Sequence, residues 1–182
     1  MKIEQSFTVA QPLAKVWAFF QDVPKVAACL PGATYTGLKE DGSYGGKVTA
    51  KVGPFQASFE GEARVQYEDA DKRVLFEGKG VDRKGASRGK MTMQCQLAPS
   101  EEATLVSIDA DVQLAGAIAQ FGRTGLLTEI ASRMIAEFVS RTEAELGGKG
   151  PDEGAEAAAP LEAGGMLVES IKAWGRGLVK KT

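Results

Sequence analysis

Ile3, Gln5, Phe7 and Val9 alternate with charged or small residues, and this period of two predicts a first strand. At Gln11-Pro12 the period changes. Leu13, Val16, Trp17 and Phe20 recur at helical spacing, with proline where the missing amide costs no hydrogen bond. Asp22 is placed to cap a second short helix from Val23-Pro24 to Leu30, its carboxylate accepting amides of the first turn. Pro31-Gly32 ends that helix.

From Thr34 to Gly116 the period of two returns in runs separated by Gly- or Asp-rich turns such as Asp41-Gly42. Val48, Ala50 and Val52 share a face against Lys47, Thr49 and Lys51, and Gly53-Pro54 breaks the run. Phe55, Ala57, Phe59, Gly61, Ala63, Val65 and Tyr67 then alternate with polar residues from Gln56 to Gln66. Val74, Phe76, Gly78 and Gly80 follow on an inner face that shrinks from bulky to glycine. Met91, Met93, Cys95 and Leu97 form another such face, and Val106, Ile108, Ala110, Val112 and Leu114 the last. Strands with one dry face each predict an antiparallel sheet that needs a cover.

The cover follows in the chain. Leu126, Leu127, Ile130, Met134, Phe138 and Leu146 recur at helical spacing between Gly125 and Gly147, with Glu129, Arg133, Glu137, Arg141 and Glu145 opposite. The order predicts an α+β helix-grip fold: strand, two short helices, a meander of about six strands, and a long helix held by the curved sheet.

Residues 1–146 thus read as one domain, and the composition then shifts. Residues 147–165 are Gly, Ala, Pro and acid, with Leu161 the one sizeable apolar group, which predicts a flexible linker. Its acids are Asp152, Glu153, Glu156 and Glu162. Residues 166–182 reverse the sign with Lys172, Arg176, Lys180 and Lys181. Leu167, Ile171, Trp174 and Leu178 fall within a sector of about 60° on a helical wheel, opposite Lys172, Arg176 and Lys180. A helix from Met166 to Lys181 is about 24 Å long and charged, so it cannot span a ~30 Å hydrocarbon core. It is expected in the interface plane of a membrane, with Trp174 at the headgroups and the cations on anionic lipid. Packing against its own domain or a partner protein is the alternative.

Composition narrows the chemistry. The chain carries 43% hydrophobic and 25% charged residues and a formal charge of −2, with neither a basic excess nor an aromatic-basic motif, which argues against nucleic acid. It contains no histidine, so His-based nucleophile activation, His general bases and His-ligated metals are excluded. Cys29 and Cys95 stand in no metal or redox spacing and are expected as buried free thiols. The amino terminus lacks a secretory h-region, so a cytoplasmic location is expected.

Candidate chemistry is sparse. Asp109 with Asp111, and Glu60 with Glu62, face the same way but lie on polar sheet faces. Of Tyr35, Tyr44 and Tyr67, Tyr67 is the one read in register with an apolar face. The stronger signal is a soft apolar lining: Met91 and Met93 opposite Met134 and Phe138, with Gly61, Gly78 and Gly80 leaving space on the inner face. Phe59, Phe76, Ile108, Ala110, Phe121, Leu127 and Ile130 complete the candidate ligand cavity. The same methionines can instead fill gaps in a closed core, and the glycines can mark bulges that curl the sheet.

Three segments carry a resemblance: "VWAFFQDVPKVAACLPGA" (Val16 to Ala33), "GGKVTAKVGPFQASFEG" (Gly45 to Gly61) and "DVQLAGAIAQFGRTGL" (Asp111 to Leu126). With them the sequence resembles the carbon monoxide dehydrogenase CoxG family of the START-like helix-grip (SRPBCC) superfamily. The resemblance implies a non-catalytic accessory of a molybdenum hydroxylase, peripheral on the inner face of the cell membrane. It also implies a cavity for a hydrophobic quinone, menaquinone or ubiquinone, and a partner in the molybdenum-containing dehydrogenase complex. The superfamily also holds cyclases and hydrolases, so a START-like enzyme acting on an apolar substrate, or a ligand-free assembly factor, stands beside it.

Overall fold

The structure, a computed structural model, describes residues 1–52, 55–84, 86–123 and 125–147. The linker and amphipathic helix expected after Gly147 lie outside the described residues. The elements follow the predicted order: β1 (Lys2–Val9), α1 (Leu13–Phe20), α2 (Val23–Cys29), β2 (Ala33–Leu38), β3 (Tyr44–Val52), β4 (Phe55–Glu68), β5 (Arg73–Asp82), β6 (Ser87–Ser100), β7 (Ala103–Ala115), a 3₁₀ segment (Ala117–Arg123) and α3 (Leu126–Leu146).

The seven strands form one antiparallel sheet in the order β1-β7-β6-β5-β4-β3-β2. Strands β2 to β7 are the six-stranded meander, and β1 returns to pair with β7. Asp22 caps α2, its carboxylate accepting the Lys25 amide at 3.2 Å. The chain then turns at Gly32, whose φ of +74° is a glycine conformation. A side chain there would also run into the Thr49 carbonyl oxygen, so the turn fixes α2 against β3.

Register sets one dry face across the whole sheet. Phe76 pairs with Met93, Met93 with Ala110 and Ala110 with Ile3, so these four lie in one row. The core sits at one end of that face. Val9, Val16, Phe19, Phe20, Val106 and Phe138 are buried there. The Phe138 ring meets Phe7, Phe19 and Phe20 at centroid distances of 6.2, 6.2 and 6.1 Å. Phe7 and Phe20 meet it edge-on, a favoured aromatic geometry. Polar ties fasten the same end: the Ala10 amide donates to Glu143 Oε1 at 2.7 Å, and Trp17 Nε1 donates to Asp69 Oδ1 at 2.6 Å. Helix α3 packs against β1, α2 and the 3₁₀ segment, and Gln5 Nε2, on the dry face, donates to Ser132 Oγ at 3.2 Å.

Candidate functional site

The far end of the dry face is built differently. Pairing aligns Gly46, Gly61, Gly80 and Gly89 in one row across β3, β4, β5 and β6, continued by Leu114 on β7. A side chain at Gly61 would collide with the Lys79 carbonyl oxygen, so glycine is what lets β4 and β5 come this close while the sheet curls. The space above the other glycines is not empty. A Cβ at Gly80 would meet Phe59 Cβ at 3.3 Å, one at Gly89 would meet Phe59 Cε1 at 3.8 Å, and one at Gly78 would meet Phe76 Cε1 at 2.8 Å. Two aromatic rings therefore lean over the glycines and form a smooth apolar floor, where the sequence suggested vacant volume.

The eleven expected lining residues separate into groups. Phe138 belongs to the closed aromatic core, and Met93 and Ile108 pack against that core. Ala110 and Ile130 are buried at 4% and 8% exposure, between the two ends. Phe59, Phe76, Met91, Phe121, Leu127 and Met134 are half-buried. Val48, cross-strand neighbour of Phe59 on the dry face, is 41% exposed despite being apolar and inward in register. The sheet beyond α3 is thus a half-covered apolar face, floored by Phe59 and Phe76 and bordered by Met91 and the first half of α3. Such a surface takes apolar ligands by area and shape.

Its polar boundary was not foreseen. Asp82 and Ser87 fall on the dry face at the turn between β5 and β6, and both are buried. Asp82 accepts the Lys84 amide at 3.0 Å and the Ser58 amide at 3.3 Å, while Ser87 Oγ accepts the Ile118 amide at 3.2 Å. They hold the hairpin end and the 3₁₀ segment together. Parity along β5 and β6 was the signal that could have found them.

The tyrosine reading needs correction. Tyr44 pairs with Ala63 and Tyr35 with Gly46, so both stand on the dry face with Tyr67, their rings 6.4 Å apart. Glycines at 37, 45 and 46 interrupt the alternation that would have shown it, and the β2–β3 register shifts between Tyr35 and Gly37. Tyr67 Oη donates to the Phe20 carbonyl at 3.0 Å, its ring edge-on to Trp17. Burial pushes its hydroxyl up to about 12.

The other candidates are placed as their patterns suggested. Asp109 is exposed, and Asp111 meets the amino terminus at 3.4 Å. Glu62 is paired with Lys39 at 2.7 Å and Lys79 at 2.9 Å, and those hydrogen bonds hold its carboxyl below the ordinary range. Cys29 and Cys95 are free and buried, and burial pushes Cys95 up to about 12, so neither serves as a thiolate at neutral pH. Among the described residues no three carboxylates or thiols gather as a metal would need, and no helix is long and apolar enough to cross a membrane.

Solved structures share this architecture. A conserved protein of Geobacillus kaustophilus superposes with a TM-score of 0.70 at 16% identity, covering 81% of this chain and 96% of that one. A START superfamily protein of Mycobacterium smegmatis gives 0.52 at 14% identity over 81% and 97% of the two chains. The Zhui aromatase/cyclase of Streptomyces sp. R1128 gives 0.52 at 14% identity over 88% and 99%. At such identities the likeness is one of fold, and the fold is the START helix-grip. No curated protein matches the sequence. The model of the CoxG family of carbon monoxide dehydrogenase matches residues 6–147, from within β1 to the glycine that closes α3, and the chain belongs to that family.

Proposed function

We propose that this chain is a non-catalytic accessory of a carbon monoxide dehydrogenase-type molybdenum hydroxylase. It binds a hydrophobic quinone on the half-covered face and brings the enzyme to the inner face of the cell membrane. The observation that carries the reading is the apolar face itself: Phe59, Phe76, Met91, Leu127 and Met134 half-exposed, with Val48 at 41%. A flat, apolar prenyl-quinone suits a floor of two rings and adaptable thioethers, which offer contact area without fixed polar partners.

Catalysis by the same face has less support. The chain lacks histidine, and the Tyr67 proton is engaged by a backbone carbonyl in a site that holds it up to about 12. A general acid or base works best with a pKa near the operating pH.

Organic extraction of the purified protein followed by mass spectrometry tests the ligand. A retained menaquinone or ubiquinone is expected, and an extract without apolar ligand after purification from quinone-containing cells would overturn this part. The membrane role rests on the stripe of Leu167, Ile171, Trp174 and Leu178 and the cations Lys172, Arg176, Lys180 and Lys181. Anionic liposomes should float the full chain and leave behind a chain ending at Gly148; equal flotation sinks this part.

A further inference from the structure

We infer that the half-covered sheet face is a docking site for the chain's own C-terminal amphipathic segment, residues 166–182. The segment leaves the face when it inserts into lipid, so that the face opens to ligand at the membrane. This rests on the proposed apolar-ligand face and the proposed membrane segment. What it adds is that one stripe of four side chains serves both surfaces.

Three features favour this occupant. The first is chemical match. An exposed apolar face wants a cover, and Leu167, Ile171, Trp174 and Leu178 supply a narrow apolar stripe whose opposite side carries Lys172, Arg176 and Lys180. Docked by the stripe, the segment leaves those cations in water, so no charge is buried. The second is size. From Leu167 to Leu178 a helix rises about 17 Å. The four strands β3 to β6, about 4.8 Å apart, present a floor about 14 Å across. One stripe crosses the floor that Val48, Phe59, Phe76 and Met91 provide.

The third is reach. Gly147 stands at the closed end, where the Leu146 carbonyl lies 3.5 Å from Lys15 Nζ. The open face lies toward the start of α3, whose 21 residues measure about 32 Å. Residues 148–165 span up to about 60 Å when extended, so the segment returns along α3 with chain to spare. A short tether also keeps the segment at an effective concentration in the millimolar range, enough for a weak contact to stay occupied. Lipid competes for the same four side chains, and binding to one surface excludes the other. Ligand exchange is thereby confined to the moment of membrane contact.

The test uses the full chain with Ser170→Cys carrying a nitroxide. Cys29 and Cys95 are buried, so the label goes to the new thiol. Methionine methyl NMR is read with the nitroxide active and then reduced. Docking is expected to erase the Met91 and Met134 signals in the active state, and adding Ile171→Glu should restore them. Signals equal in the two states without lipid would overturn the docking. A nitroxide-bearing chain mixed with an isotope-labelled chain lacking it tests a second copy: broadening in that mixture overturns the intramolecular site. Phosphatidylglycerol vesicles should return the signals, and broadening that persists with the protein on the vesicles overturns the exclusion. Failure to float with broadening intact defeats the membrane reading alone.

Discussion

The two ends of the dry sheet face use similar residues to opposite ends. At the closed end, Phe138 meets three other aromatic rings and is 5% exposed, with α1, α2 and the last turns of α3 packed around it. At the open end, Phe59 and Phe76 spread over glycines and stay half-exposed. A ring that buries itself among rings contributes to folding. A ring lying flat on a glycine floor presents its other side outward, and that side is surface available for binding.

The largest test of this contrast compares truncations at the two ends. Phe138→Ala removes a fully packed ring from a core that α3 cannot readily collapse, and urea unfolding should show a loss of about 3–5 kcal/mol. Met91→Ala, half-buried on the open floor, should cost about 1 kcal/mol and instead weaken retention of an extractable apolar ligand. Equal costs at the two positions would mean that the open face is core after all.

A second test looks within the glycine row. Gly61→Ala places a methyl against the Lys79 carbonyl and the Gly80 backbone, which cannot swing aside, so a loss of about 1–3 kcal/mol is expected. Gly89→Ala meets Leu114 Cδ2 at 3.5 Å and the Phe59 ring at 3.8 Å, ordinary contact distances. It should change stability by less than about 0.5 kcal/mol and act on ligand retention by tilting Phe59. Melting temperatures of the two variants measured side by side, with extraction of Gly89→Ala, give the answer.

The contrast between the ends also explains what could be read without coordinates. Parity along β4 to β7 gave the dry face residue by residue, and the bounding Gly125 and Gly147 gave the extent of α3. Alternation tells which face a side chain takes, but not how far across the sheet the covering helix reaches. Because α3 lies along β1, Phe138 falls into the core while Phe59 and Met91 stay outside it, though all three carry the same inward signature. Tyr35 and Tyr44 were misassigned for a related reason: glycine has no side chain to show the alternation, so parity is lost through 37, 45 and 46. Asp82 and Ser87 were overlooked because a polar residue at an inward position reads as a turn until its backbone partners are known.

The smallest effect comes from the closed end. Thr142 on α3 is wholly buried at 0% exposure, and its Oγ1 has no partner at full hydrogen-bond geometry. The polar group it faces is the Cys29 thiol, which burial raises and Thr142 lowers, and a thiol is a weak partner. A buried hydroxyl so placed has lost its water and gained little in return, so removing it while keeping its volume should help. Thr142→Val keeps the β-branched shape that already fits the helix rotamer, and a gain of about 1 kcal/mol in urea unfolding is expected. Ligand retention should not move, since the site lies at the far end of the sheet from Phe59. A loss of stability instead would show that the thiol is a full partner and that the closed end is held by more than its rings.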